Sequence, residues 1–124
     1  MILLVSHKPE IAQTLSNMLK AEGYPVTILA EGDECVPSIL AFSPNLLLVD
    51  LYIQNPSGLE VLRQVRARGY AGKIIVLSGV SLSSAIPLAM RFGVDQVLGP
   101  PLDFGQVLSA VHVAIGSSDL SLVT

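Results

Sequence analysis

The chain has 124 residues, of which 51% are hydrophobic and 14% charged, with a formal net charge of -3. That length suits one domain with a full-sized core. No apolar run reaches the roughly eighteen residues of a membrane span, and the charge offers no basic footprint for direct nucleic-acid binding. The single cysteine, Cys35, rules out an internal disulfide, and a first strand starting at Ile2 leaves no room for a signal peptide, so the expected compartment is the reducing cytoplasm.

The first element is the continuous apolar run Ile2 to Val5, read as a strand. Pro9 then opens a helix at its first position, with Ile11, Leu15, Met18 and Leu19 as its apolar stripe and Gly23 as its stop. Val26 to Leu29 is the second strand. Asp33 is the expected N-cap of the second helix, whose start is pushed later by Pro37 and whose end is set by Ser43-Pro44. Leu46 to Val49 is the third strand and ends on Asp50. Tyr52 to Ser57 reads as a loop, and Pro56 or Ser57 opens a third helix carrying Leu59, Leu62 and Val65 as far as Gly69.

Ile74 to Leu77 is the fourth strand and ends on Ser78. Ser83 or Ser84 caps a short fourth helix that holds Pro87 in its first turn and stops at Gly93. Gln96 to Leu98 is the weakest strand. Asp103 caps the fifth helix, with the stripe Phe104, Val107, Leu108, Val111 and Ile115. Residues 1–116 form the expected domain. The stretch 117–124, polar and without periodicity, is read as a tail or the start of a linker.

Short continuous apolar runs, rather than alternating ones, suit strands buried on both faces of a parallel sheet. Five of them alternating with five helices imply a doubly wound, flavodoxin-like α/β fold, with strand order 2-1-3-4-5. In such folds the site lies beyond the carboxyl ends of the strands, where the order reverses. Here that crevice joins Ser6-His7 to Asp50.

Asp50 at a strand tip, Gly58 eight residues on, Ser78 after the fourth strand, and the run from Gly93 through Val97-Leu98 to Pro101 together resemble the receiver domain of bacterial response regulators (CheY-like). The resemblance covers Ile2 to about Ile115 and implies a phosphorelay signalling module rather than an enzyme. It implies that Asp50 is the phosphoacceptor, attacking a phosphohistidine to form an acyl phosphate, and that Ser78 contacts the phosphoryl group. Mg²⁺ is the implied cofactor, with Asp50 and the Tyr52 carbonyl as remaining ligands. A histidine kinase or other signalling protein is the implied partner, and the fourth helix, fifth strand and fifth helix form the implied docking or homodimer face, with Met90, Phe92 and Val97 as candidates.

The chain departs from the family pattern at several of these positions. Ser6 and His7 stand where the family places its acidic pair. Pro100 stands where it places a lysine, Val97 at its aromatic switch position, and Gln54 where a proline is often found. Lys8 is the candidate substitute cation. These departures favour a pseudo-receiver that acts through protein contacts with impaired Mg²⁺-dependent phosphorylation. The alternative is a functional receiver that accepts a phosphoryl group on Asp50, and a flavodoxin-like binding protein or enzyme ranks last.

Plainer readings stand beside these. Asp50 is a strand-end carboxylate held by backbone N–H groups, by Lys8, or by a pH-sensitive ion pair with His7. Two ligands are too few for zinc. Cys35 reads as a small buried hydrophobe, and His112 as a surface or edge residue. Arg63, Arg66 and Arg68 form a solvated face or, alternatively, a docking site for an acidic partner.

Overall fold

Strands that carry apolar side chains in both alternating directions must be covered on both faces, and the sheet is built that way at its centre. The computed structural model describes residues 1–54, 56–78, 85–99 and 102–116. Its five strands are β1 (Ile2–Val5), β2 (Val26–Leu29), β3 (Leu46–Asp50), β4 (Lys73–Leu77) and β5 (Gln96–Leu98). All pair in parallel, in the order β2-β1-β3-β4-β5. The expected flavodoxin-like fold is therefore observed.

Alternate residues of the three inner strands feed two separate cores. Leu3, Val5, Leu47, Val49, Ile74 and Val76 pack on one face with Cys35, Ile39, Val61, Leu62 and Val65. Ile2, Leu4, Leu46, Leu48, Ile75 and Leu77 pack on the other with Leu15, Leu19, Val107 and Val111. Burying each large aliphatic side chain stabilises the fold by about 1.5–3 kcal/mol, an upper estimate because the unfolded chain already hides some surface. The expectation of burial on both faces fails at the sheet edges. Thr27 and Ile28 of β2 and Gln96 of β5 are exposed, because an edge strand lacks a neighbour and full helical cover.

The helices are α1 (Pro9–Ala21), α2 (Gly32–Phe42), α3 (Gly58–Ala67), α4 (Ala85–Met90) and α5 (Phe104–Val111), the last continued by a π-helical turn (His112–Gly116). Pro9 opens α1 as expected, but the buried stripe is Ala12, Leu15, Ser16 and Leu19. Ile11 and Met18 lie at its margins, half-buried. Asp33 is not the N-cap of α2. Glu31 holds that position and makes no side-chain cap bond, while Asp33 and Glu34 lie in the first turn, where carboxylates favour the positive helix end.

The start of α2 is set instead by tertiary contact. The Gly32 N–H donates to the Gln54 carbonyl at 3.0 Å, and a Cβ at Gly32 would fall 2.3 Å from the Pro56 oxygen. Pro37 sits inside the helix, so the amide that would bond the Asp33 carbonyl is missing. Ser43 closes α2 in a left-handed conformation (φ 43°). Ser57 caps α3 by accepting the Glu60 N–H at 3.3 Å. Asp103 caps α5 by accepting the N–H groups of Gly105 and Gln106 at 2.8 and 3.2 Å. The expected cap of α4, Ser83 or Ser84, lies outside the described residues, as do Pro100, Pro101 and the tail 117–124.

Arg63 and Arg66 of α3, with Arg68 at its C-cap rather than inside the helix, do not form one solvated face. Arg63 pairs with Glu60 one turn back, which holds that carboxyl down at about 2. Arg66 is half-buried and donates to the carbonyls of Phe92, Tyr70, Gly72 and Gly93. Cys35 is fully buried, and burial pushes its thiol up to about 12, consistent with an inert core residue.

Candidate functional site at the strand carboxyl ends

The parallel register brings the sequence candidates together. Val5 lies opposite Val49, and Asp50 opposite Leu77, so Ser6, Asp50 and Ser78 emerge from three adjacent strands at one edge. Backbone bonds anchor the exits: Ser6 N–H to Leu29 O at 3.0 Å, Leu51 N–H to Leu77 O at 3.2 Å, and Ser78 N–H to Leu98 O at 2.9 Å. Ser6, Asp50 and Ser78 are the buried polar residues of this edge, at 4%, 8% and 1% exposure. With Lys8, Ile11, Leu77 and Leu102 they line a cavity of about 40 Å³. Asp50 is the single carboxylate among the described residues lining it.

Two groups hold the Asp50 carboxylate. The Tyr52 N–H donates to Oδ1 at 2.9 Å. His7 Nδ1 lies 3.3 Å from Oδ2, an ion pair only when the imidazole is protonated, with the imidazole 44% exposed and the carboxylate side chain 12%. Of the three plainer readings of Asp50, two are thus realised in part, by a backbone amide and by His7. The candidate substitute cation, Lys8, lines the cavity, while the side chain beside the Asp50 carboxylate is His7. Ser6 Oγ accepts the Lys8 N–H at 3.2 Å, which shapes the turn out of β1.

Gly58 explains the spacing to Asp50. Its N–H donates to the Leu51 carbonyl at 3.2 Å, and the first turn of α3 rests on the end of β3 with no room for a side chain. The switch position, Val97, and the surface candidate Phe92 are half-buried against the core. The exposed apolar residues in α4 and beyond α5 are Ile86, Leu88, Met90 and Val113. Among the described residues no group of three or more His, Cys, Asp and Glu could hold a metal ion.

Two features escaped the sequence reading. Arg66 carries a structural load, and its place in the last turn of a helix, where cations meet free carbonyls, was the available signal. His112 contacts both the Tyr24 hydroxyl (2.9 Å) and Glu22 Oε1 (3.4 Å), a pairing across 88 and 90 residues with no local signature.

Residues 2–112 match the family model described as the response regulator receiver domain. The chain is 28% identical over 119 residues to the transcriptional regulatory protein DltR of Streptococcus agalactiae, spanning 96% of this chain and 53% of that protein. It is 29% identical over 117 residues to the cell cycle transcriptional regulator CtrA of Caulobacter vibrioides, spanning 94% and 51%. The chain therefore spans about half the length of these curated relatives. A receiver domain protein (CheY-like) from Methanospirillum hungatei superposes with a TM-score of 0.87 at 22% identity, covering 97% of this chain and 96% of that one. A signal receiver domain from Bermanella marisrubri gives 0.81 at 27%, covering 92% and 96%.

Proposed function

This chain belongs to the response regulator receiver domain family of two-component signalling, and we propose that it serves there as a pseudo-receiver, working through protein contacts with impaired Mg²⁺-dependent phosphorylation. The observation that carries this reading is the pair at the acceptor. His7, not a second carboxylate, faces Asp50 at 3.3 Å. Mg²⁺ is a hard ion that favours carboxylates, carbonyls and water over imidazole. A cavity with one carboxylate, two hydroxyls and the Lys8 side chain fits it poorly, and an arriving ion would have to displace His7 from Oδ2.

The output then rests on surfaces. The exposed Leu88 and Met90 on α4, with Val113 beyond α5, flank the face through which family resemblance implies docking to a kinase or to a second copy. A groove of about 580 Å³ along β5 and α5, lined by Gln96, Leu98, Gln106 and Ser109 among others, adds to that face. Among the described residues no helix is long and apolar enough to cross a membrane, which suits a cytoplasmic partner.

The second reading, phosphoryl transfer to Asp50 with Lys8 as helper, is favoured by Lys8 and Ser78 lining the same cavity as Asp50. Calorimetric titration with Mg²⁺ separates the two. The wild-type chain is expected to show no saturable site at millimolar Mg²⁺, and the Ser6→Asp/His7→Asp double variant to gain one. Equal Mg²⁺ affinity in both proteins would sink the pseudo-receiver reading.

A further inference from the structure

The charges of this chain are segregated along its sequence. Between Gly58 and Val94 stand Arg63, Arg66, Arg68, Lys73 and Arg91 against the single carboxylate of Glu60, although the whole chain has a net charge of -3. Two of these cations are used inside the fold, Arg66 on backbone carbonyls and Lys73 on Asp95 at 3.7 Å. Arg68, at the C-cap of α3, lines a different cavity with Leu40 and Tyr70. Arg63 and Arg91 border one groove of about 270 Å³ between α3 and α4, which Leu59, Glu60, Leu88 and Phe92 also line.

The walls of this groove are fixed. Leu59 and Phe92 pack half-buried against the core. Arg66 reaches across to the Phe92 and Gly93 carbonyls at 2.7 and 3.1 Å, which ties the end of α4 to α3. A preformed groove lowers the ordering cost of binding. Leu88 is 44% exposed and presents apolar surface to solvent. Arg63 gives Nε and Nη2 to Glu60 and keeps its Nη1 donors. The Arg91 guanidinium meets no partner among the described residues. A guanidinium offers a planar fork of N–H donors that matches a carboxylate.

We infer that the groove between α3 and α4 docks an acidic peptide segment of a partner protein. One large apolar side chain of that segment sits on Leu59, Leu88 and Phe92, and flanking carboxylates meet Arg91 and Arg63. Charge chooses the partner: a basic rim on an otherwise acidic chain attracts acidic segments and disfavours basic ones. Volume sets the anchor, because the groove falls short of the roughly 300–1,000 Å³ of small-molecule sites and suits a single side chain. A seated anchor also excludes water from the ion pairs beside it. The surface shares no lining residue with the groove along β5 and α5. The inference goes beyond the proposed function and does not depend on whether Asp50 takes a phosphoryl group.

The test is an amide NMR titration of the chain with a short synthetic peptide carrying a central phenylalanine between glutamates. Saturable shifts are expected at Leu59, Arg63, Leu88 and Phe92, and not at Gln96 or Gln106. Arg91→Gln should weaken binding by roughly fivefold, the upper end for one exposed ion pair. Arg68→Gln removes the same charge outside the groove and should leave the affinity unchanged. Leu88→Gln, or alanine for the phenylalanine of the peptide, should weaken binding by at least the same factor. Unchanged shifts in β1 and β3 of each variant show that the fold is retained. Equal losses for Arg91→Gln and Arg68→Gln overturn the inference, since net charge alone then sets the affinity. A peptide that binds as well without its phenylalanine, shifts confined to β5 and α5, or no saturable shift at millimolar peptide also overturn it. The titrations contain no Mg²⁺, so each of these outcomes leaves the pseudo-receiver reading standing.

Discussion

Replacing Gly58 by alanine is expected to destabilise the domain by about 3 kcal/mol, the upper end for overpacking a tight site. Helix propensity argues for the opposite sign, since alanine in a helix interior is favoured over glycine by about 1 kcal/mol. Packing wins because of what the new Cβ would meet: the Leu51 Cα at 2.5 Å, with the Asp50 oxygen and the Leu51 carbonyl carbon at 2.9 Å. All three are backbone atoms, so no side chain can swing aside. Relief requires α3 to move off the end of β3, lengthening the Gly58 N–H bond to the Leu51 carbonyl and dragging the Asp50 loop with it. Urea denaturation measures the loss, and amide shifts at Leu51 and Tyr52 report the displacement. A stabilised Gly58→Ala protein would contradict the close approach.

The second large effect is expected at Arg66. Arg66→Met keeps most of the apolar stem but removes the donors to the carbonyls of Tyr70, Gly72, Phe92 and Gly93. Each hydrogen bond from a charged donor contributes about 1.5–3 kcal/mol net. Because the site is half-buried, water can reach some of the orphaned carbonyls. The expected net loss is therefore about 3 kcal/mol rather than the sum. For a domain of this size that is a fall in Tm of roughly 10 °C. Arg66→Lys should recover little, because an ammonium lacks the fork that reaches two loops at once. The same anchor helps hold Tyr70, whose hydroxyl donates to the Pro44 carbonyl at 2.9 Å and whose phenol is pushed up to about 12 by burial. A near wild-type midpoint for Arg66→Met would show that the four bonds are replaced by solvent at no cost.

The two sites also show what a sequence can and cannot disclose. The runs at Ile2, Leu46 and Ile74 announced the inner strands because residues buried on both faces leave no polar alternation. Asp50 was legible as a strand end for the same reason, as the first charged residue after an apolar run. The start of α2 was misread because Asp33 carries a good capping side chain, whereas the helix begins where Gly32 packs against Pro56, a contact between segments with no shared local pattern. Edge exposure in β2 was legible only in part: Thr27 breaks the apolar run, but the exposed Ile28 is as apolar as residues in the centre. At the site, Ser6 and His7 were legible as departures from a carboxylate pair, and Lys8 and His7 were both candidates for the contact to Asp50. Side-chain reach, which a sequence does not disclose, gives that contact to His7.

On the proposed reading, the His7–Asp50 arrangement has displaced Mg²⁺-dependent acyl phosphate formation. The most direct measurement is an amide NMR titration of the chain with Mg²⁺ and beryllofluoride, a mimic of the aspartyl phosphate, beside an Asp50→Ala control. If Asp50 no longer forms an acyl phosphate, Leu51, Tyr52 and Ser78 show no saturable shifts at millimolar Mg²⁺. Saturable shifts at those amides that vanish in the control would contradict it and restore Asp50 as a working phosphoacceptor.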